Sequence, residues 1–250
     1  MSRIEWDQVG SRTYEAGVNH GVLYTDYSGT FTNGVAWNGL TGIDCEDDDR
    51  ESTPLYSGDI KAGLLFDSGG CSGTINAYTY PEEFESCIGS EEVLPGLYMQ
   101  QQNHPAFGLS YRTNVGNDTA GLEHAYRLHL IYGAVVTSNS ISRSTINDSA
   151  EALEFSWDFE AMPQEAGDYS PFSELIFDSR KFNSDFMDQL CDILYGTDET
   201  PARLPSISEL VELFTVIDTS IPPEYEGYPY EYLYPSQDTY PHSTASTQEG

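Results

Sequence analysis

The sequence predicts a mainly β (β+α) protein, and three observations carry that expectation. Bulky and polar residues alternate over long stretches between 107 and 159, glycines and prolines interrupt the chain at short intervals before them, and a four-residue apolar spacing appears only beyond 180. Side chains on a strand alternate between faces, whereas those on a helix recur every 3.6 residues, so the first pattern reads as sheet and the last as helix.

At the N-terminus, Gly17 and Gly21 stand around short apolar pieces ending in Gly21-Val-Leu-Tyr24, which predicts a turn between extended segments. Gly34 to Leu40 reads as another short strand. The acidic run Glu46-Asp47-Asp48-Asp49 breaks the periodicity between Asp44 and Pro54 and reads as an exposed loop. Strands follow over Asp59 to Phe66 and Thr74 to Tyr80, separated by Ser68-Gly-Gly-Cys-Ser-Gly73 and stopped by Pro81; from there to Gly96 the chain is loop-like, with one short helical turn.

The clearest alternation begins at Phe107. Phe107 to Thr113 is a strand, and Gly116-Asn117-Asp118 supplies residues that tolerate a left-handed backbone and reverse the chain. Tyr126 to Val136 places Tyr126, Leu128, Leu130, Tyr132, Ala134 and Val136 on one apolar face. The polar stretch from Thr137 to Ser149 continues the sheet as an edge or connects it. Leu153, Phe155, Trp157 and Phe159 then alternate with Glu154, Ser156, Asp158 and Glu160, giving a strand that is aromatic on one side and nearly all acidic on the other.

Leu175 to Phe177 is a further strand. Phe182, Phe186, Leu190 and Leu194 recur every four residues ahead of Gly196, which marks an amphipathic helix with a glycine stop. Ser206 and Glu209 have capping-box spacing before Leu210, Val211, Leu213 and Phe214, which predicts a second short helix. From Ile221 onward prolines interleave with tyrosines, predicting a flexible or partner-dependent tail. The chain thus divides into a β domain over 1–217 and a Tyr/Pro-rich extension over 218–250.

Charge narrows the function. Asp plus Glu number 41 against 10 Lys plus Arg, a formal net charge of -31, so the surface repels nucleic-acid phosphates and excludes ordinary DNA binding. Only 20% of residues are charged and 13% are aromatic, so the acidity reflects a shortage of bases in a chain that folds. No basic segment leads into an apolar run at the N-terminus, and no apolar stretch approaches the roughly 18 residues that span a bilayer; the expectation is a protein kept in the cytosol until it is used. Cys45, Cys71, Cys87 and Cys191 lack CxxC spacing and read as free thiols.

No catalytic signature is present. The chain has no GxSxG elbow, no phosphate-binding GxxxxGK[ST] loop, no GxGxxG and no HExxH. Asp44 to Asp49 superficially resembles a calcium loop, but Asp49 stands where the sixth-position glycine belongs and Leu55 where the twelfth-position glutamate belongs. His124 and His129, five apart, fall on opposite faces of an extended strand and do not make half a metal site. The expectation is no catalytic, cofactor or metal site. Trp6, Trp37 and Trp157 fit a sugar-stacking platform, but at alternating strand positions they more often form core or subunit interface.

Several phrases, taken in order, resemble the major tail protein, or tail tube protein, of long-tailed siphovirus-type bacteriophages. They are Gly10-Ser-Arg-Thr-Tyr-Glu-Ala-Gly-Val18 with Gly21-Val-Leu-Tyr24, Gly34-Val-Ala-Trp-Asn-Gly-Leu-Thr41, Tyr78-Thr-Tyr-Pro-Glu-Glu-Phe84, Phe107 to Thr113 with Gly116-Asn-Asp118, His129-Leu-Ile-Tyr132, and Ser144 to Ser149 ahead of Phe155-Ser-Trp157. The resemblance covers about residues 3 to 214 and leaves out the Tyr/Pro tail. It implies a non-enzymatic β-sandwich or barrel-like tube domain with a flanking helix and long inter-subunit loops. Six copies form a ring, and rings stack into a hollow virion tail tube assembled in the host cytoplasm. Implied partners are the tape measure protein, the tail terminator and the distal tail proteins, with double-stranded DNA passing through transiently. On this reading the acidic face of Glu154, Asp158 and Glu160 lines the channel, and edge strands become the assembly surface. The alternatives are another ring-forming virion protein such as a tail terminator or connector, a carbohydrate-binding β-sandwich, and an acidic hydrolase.

Overall fold

One strand of 21 residues organises the sheet. The computed structural model describes residues 4, 6–26, 31–47, 52–57, 60–66, 70–141, 143, 153–166 and 169–220. In chain order these give β1 (Thr13–Asp26), β2 (Phe31–Ala36), β3 (Leu40–Asp47), β4 (Ser52–Ser57), β5 (Ile60–Phe66) and β6 (Cys71–Ala77). A short α1 (Phe84–Cys87) precedes β7 (Glu91–Leu94), β8 (Leu97–Met99), β9 (Phe107–Asn117) and the long β10 (Gly121–Ile141). There follow β11 (Phe155–Ala161), β12 (Gln164–Ala166), β13 (Tyr169–Phe172), β14 (Glu174–Asp178), α2 (Ser184–Tyr195) and α3 (Ile207–Ser220). The expected Tyr/Pro-rich extension lies, beyond Ser220, outside the described residues, as do Asp48, Asp49 and the connection from 144 to 152.

The protein is mainly β, built on a large antiparallel sheet with a few helices. Its eight strands run β2-β1-β9-β10-β11-β6-β3, with β14 also paired to β10. β10 makes this possible by its length. Its first half pairs β9 on one side and β14 on the other, and its second half pairs β11. Trp37 N, just past β2, donates to Gly21 O of β1 at 2.8 Å, and the Leu40 side chain at the start of β3 lies over the same glycine, so the two ends of the sheet approach each other. The inward side chains of β1, β3, β6, β9, β10 and β11 converge on one core, covered by Phe84, Cys87 and Ile88 from α1 and its C-terminal turn. At its centre Trp157 stacks on Phe155 and meets Trp37, Phe84 and Tyr80 edge-on.

A second core lies on the outer side of the same sheet. Val22, Tyr24, Leu128, Leu130 and Tyr132 pack there against Phe186, Met187, Leu190 and Leu194 of α2 and Leu210 of α3. The α2 helix follows from local chemistry: the Asn183 side chain accepts from Phe186 N at 2.7 Å, one apolar stripe faces the sheet, and Gly196 at φ 77 ends it. Ser206 Oγ accepts from Glu209 N at 3.3 Å, but the Glu209 carboxylate turns to Arg203 rather than completing the capping box.

Five sequence expectations are corrected. The segment from Pro81 to Gly96 is not all loop and helical turn, since β7 within it pairs with β8 as a hairpin. The apolar residues of β10 do not share one face. Gly133 at φ 63 forms a bulge between Ile131 and Ala134, so Leu128, Leu130 and Tyr132 enter the helix-covered core while Ala134 and Val136 enter the inner one. A left-handed residue is cheap only for glycine, and the extra residue inverts the alternation downstream. Gly17 and Gly21 make no turn, because β1 runs through both and absorbs them as register shifts against β9. The segment Gly34 to Leu40 is not one strand; Asn38 and Gly39 turn the chain between β2 and β3. Finally, Glu46 and Asp47 are not loop but the end of β3, held by pairing with Ser72 and Cys71.

Candidate functional site

The sequence-predicted acidic strand sits where a surface, rather than a pocket, can form. In β11, Phe155, Trp157, Phe159 and Ala161 point into the core, which leaves Asp158 and Glu160 exposed on the outer side. Glu154 lies just before the strand, also exposed, and accepts a hydrogen bond from Thr41 Oγ1 at 3.3 Å. Antiparallel register then sets the neighbours. Asp158 pairs with Thr74 of β6, which pairs with Asp44 of β3; Glu160 pairs with Ser72, which pairs with Glu46. The result is two rows, each carboxylate, hydroxyl, carboxylate, across three strands. Thr74 Oγ1 donates to Asp158 Oδ1 at 2.9 Å and fixes one of them.

Sequence reasoning read Glu46 as part of an exposed loop and joined neither it nor Asp44 to this face. They alternate with the inward Ile43 and Cys45, a period-two signal that the following run of aspartates conceals. Carboxylates two residues apart on a strand stand about 7 Å apart, and those two strands apart about 10 Å. In water two unit charges at about 7 Å repel by roughly 0.6 kcal/mol, so the face is tolerated while it stays hydrated. Strands β3, β6 and β11 contain no Lys or Arg. Among the described residues no ion pair reaches Asp44, Glu46, Glu154, Asp158 or Glu160.

Five of the described arginines are engaged elsewhere. Arg12 pairs with Asp118, Arg127 with Glu15 and Asp178, Arg180 with Asp178, and Arg203 with Glu209, while Arg112 lies 3.8 Å over the Tyr126 ring. The Arg180 guanidinium, with Arg127 beyond it, holds the Asp178 carboxyl well below the usual carboxylate range. Burial pushes Glu15 up, but the Thr113 hydroxyl and Arg127 outweigh it and hold Glu15 low. Such depressed carboxylates stabilise the fold above their unfolded value, about pH 4, and that stability is lost as pH falls through the folded value. Relief of the net repulsion acts the other way between pH 7 and the sequence pI of about 4.1. The melting temperature is therefore expected to rise from pH 7 to about pH 5 and to fall below about pH 4. Asp178→Asn should cost about 2–4 °C at pH 7, the equivalent of roughly 1 kcal/mol, with the difference shrinking toward pH 2 in a thermal-melt series.

A second acidic patch borders α1. A groove of about 490 Å³ between α1 and the β7–β8 hairpin is lined by Glu82, Glu83, Glu85, Glu91 and Glu92. The hairpin itself is exposed throughout, including Val93, Leu94, Leu97, Tyr98 and Met99. Trp37 and Trp157 are core residues at 4% and 0% exposure, which removes them from any sugar-stacking platform; Trp6 is exposed. Among the described residues no helix is long and apolar enough to cross a membrane.

No family model matches the chain, and no curated protein matches it. Solved structures similar to it include the sheath-tube complex of an extracellular contractile injection system (PVC), 12% identical over 64% of this chain and 88% of that one, TM-score 0.35. The cap of the anti-feeding prophage is 11% identical over 71% of this chain and 100% of that one, TM-score 0.37. The SPP1 tail tube is 13% identical over 65% and 77%, TM-score 0.34. At these values the likeness carries no argument about function.

Proposed function

We propose that this chain is a non-enzymatic structural subunit of a bacteriophage tail tube. Six copies form a ring, the rings stack, and the outer face of β3, β6 and β11 lines the channel through which genomic DNA passes during ejection. The observation that carries this reading is the acidic face itself: Asp44, Glu46, Asp158 and Glu160 in register, with no base of the same strands to neutralise them. A duplex moving along such a wall is repelled from every side, so it does not adhere. The ordered phrases that resemble tail tube proteins point the same way.

Two further features suit assembly. The sheet ends on β2 and β3, and edge strands that threaten aggregation in a monomer become the joining surface when neighbours continue the sheet around a ring. The β7–β8 hairpin presents Leu94 and Leu97 to solvent, as an arm that buries them against the next subunit would. The tape measure protein, terminator and distal tail proteins are the expected partners, and the virion tail the expected location.

Negative-stain electron microscopy of the purified protein across a concentration series tests this. Hollow tubes or stacked rings are expected, and Leu94→Asp with Leu97→Asp should keep the protein as single subunits with an unchanged circular dichroism spectrum. Rings that never stack would instead assign it to a terminator or connector.

A further inference from the structure

The inner core is apolar except at one end. There a sulfur of Cys45, a sulfur of Cys71 and a carboxylate oxygen of Glu174 lie within 4.8 Å of one another. The pairing explains the convergence. Cys45 is opposite Gly73 and Cys71 is opposite Asp47, so the two inward thiols are diagonal neighbours on β3 and β6, with the side-chain-free Gly73 beside them. Glu174 pairs with Ile131, an inward residue of β10, which brings its carboxylate to the same end from β14. Nothing in the spacing 45, 71, 174 shows this in the sequence.

We propose that Cys45, Cys71 and Glu174 form a binding site for a thiophilic divalent cation of the zinc class. A tetrahedral zinc with sulfur at about 2.3 Å and carboxylate oxygen at about 2.0–2.2 Å needs donors roughly 3.5–3.8 Å apart, so the three atoms are within about 1 Å of the required separations. Side-chain rotation alone covers that distance. The carboxylate is already oriented: His129 Nδ1 lies 2.9 Å from Glu174 Oε1, and the imidazole is stacked on Tyr111 at 4.5 Å. Outer partners of this kind fix ligand orientation in metal sites. The Tyr111 hydroxyl, 3.6 Å from Cys45 Sγ, or a water completes the set.

Two sulfurs select against calcium and magnesium, which take oxygen ligands. The charge of -31 raises the local concentration of any cation. A buried cysteine often serves only as a small apolar filler, and Cys87 fits that description, packed against Ile88 and Phe84 in the core. Cys45 and Cys71 differ from it in having a half-buried carboxylate, held by His129, beside their sulfurs.

The test uses the full chain, reduced, stripped with a chelator, desalted and titrated with cobalt(II). One equivalent is expected to give a thiolate-to-cobalt charge-transfer band with tetrahedral visible bands, both bleached by zinc. Cys45→Ser and Cys71→Ser should abolish the band, and Glu174→Gln should keep it while weakening the Kd at least about tenfold. Cys191→Ser, outside the cluster, should change nothing. Zinc should raise the melting temperature of the wild type and not of Cys45→Ser. If Cys71→Ser fails to fold, the half-buried Cys45 and Glu174 variants decide the matter. Absence of the band at one equivalent, or its survival in the Cys45 variant, would overturn the site, as would a reduced protein that forms a Cys45–Cys71 disulfide in air but takes up no cobalt.

Discussion

Tubes assembled from a variant with lysine at Asp44, Glu46, Asp158 and Glu160 are expected to retain duplex DNA that wild-type tubes release. Each substitution changes the local charge by two, so a face that repels phosphates becomes one that attracts them. All four side chains are exposed, and exposed substitutions away from special interactions cost within about 0.5 kcal/mol, so the fold should survive; the hydrogen bond from Thr74 to Asp158 is the main interaction that the variant gives up. Even four phosphates neutralised in all would make affinity scale with salt to a power near -3.5, a fall of roughly a hundredfold between 50 and 200 mM, and each further contact around the ring steepens it. Co-sedimentation of labelled duplex with tubes at those two salt concentrations reads this directly. At least tenfold more DNA retained at low salt, and released at high salt, is the expected result. Equal release by variant and wild type would mean that the face does not meet DNA.

Trp157→Ala is expected to be the most damaging single core substitution, removing about 3–5 kcal/mol. For a domain of this size that is roughly 6–20 °C in melting temperature. The ring is fully buried among Trp37, Tyr80, Phe84 and Phe155, and it lies on the inner side of the strand whose outer side carries Asp158 and Glu160. Loss of the ring therefore loosens the acidic face as well. Trp157→Phe should be far milder. The indole Nε1 is buried with no hydrogen-bond partner among the described residues, and an unsatisfied buried donor costs about 1–3 kcal/mol, which phenylalanine removes while keeping most of the aromatic packing. Thermal unfolding of the two variants side by side checks the ranking. Equal losses would contradict the account of Nε1 as an orphan.

The strands with the clearest alternation were legible: β9, the middle of β10 and β11 all fall where period two places them, and α2 ends at the glycine that its four-residue spacing points to. What alternation cannot reveal is where it is interrupted. The bulge at Gly133 inverts the faces of β10, and the bulged stretches of β1 at Gly17 and before Val22 look like turns because glycine serves both. The acidic site was legible by half. Asp158 and Glu160 alternate with aromatics, whereas Asp44 and Glu46 join them only through pairing with β6, an arrangement set by register between segments far apart in the chain. The Cys45, Cys71 and Glu174 cluster has the same origin, since it needs β3, β6 and β14 to be brought to one end of the core.

The most direct test of the tube reading is an electron cryomicroscopy map of the assembled protein at side-chain resolution. The expected map shows six-fold rings stacked around an open axis, with Asp44, Glu46, Asp158 and Glu160 of every subunit facing it and the β7–β8 hairpin buried against a neighbour. A map with those four carboxylates on the outer surface of the tube would contradict the channel assignment.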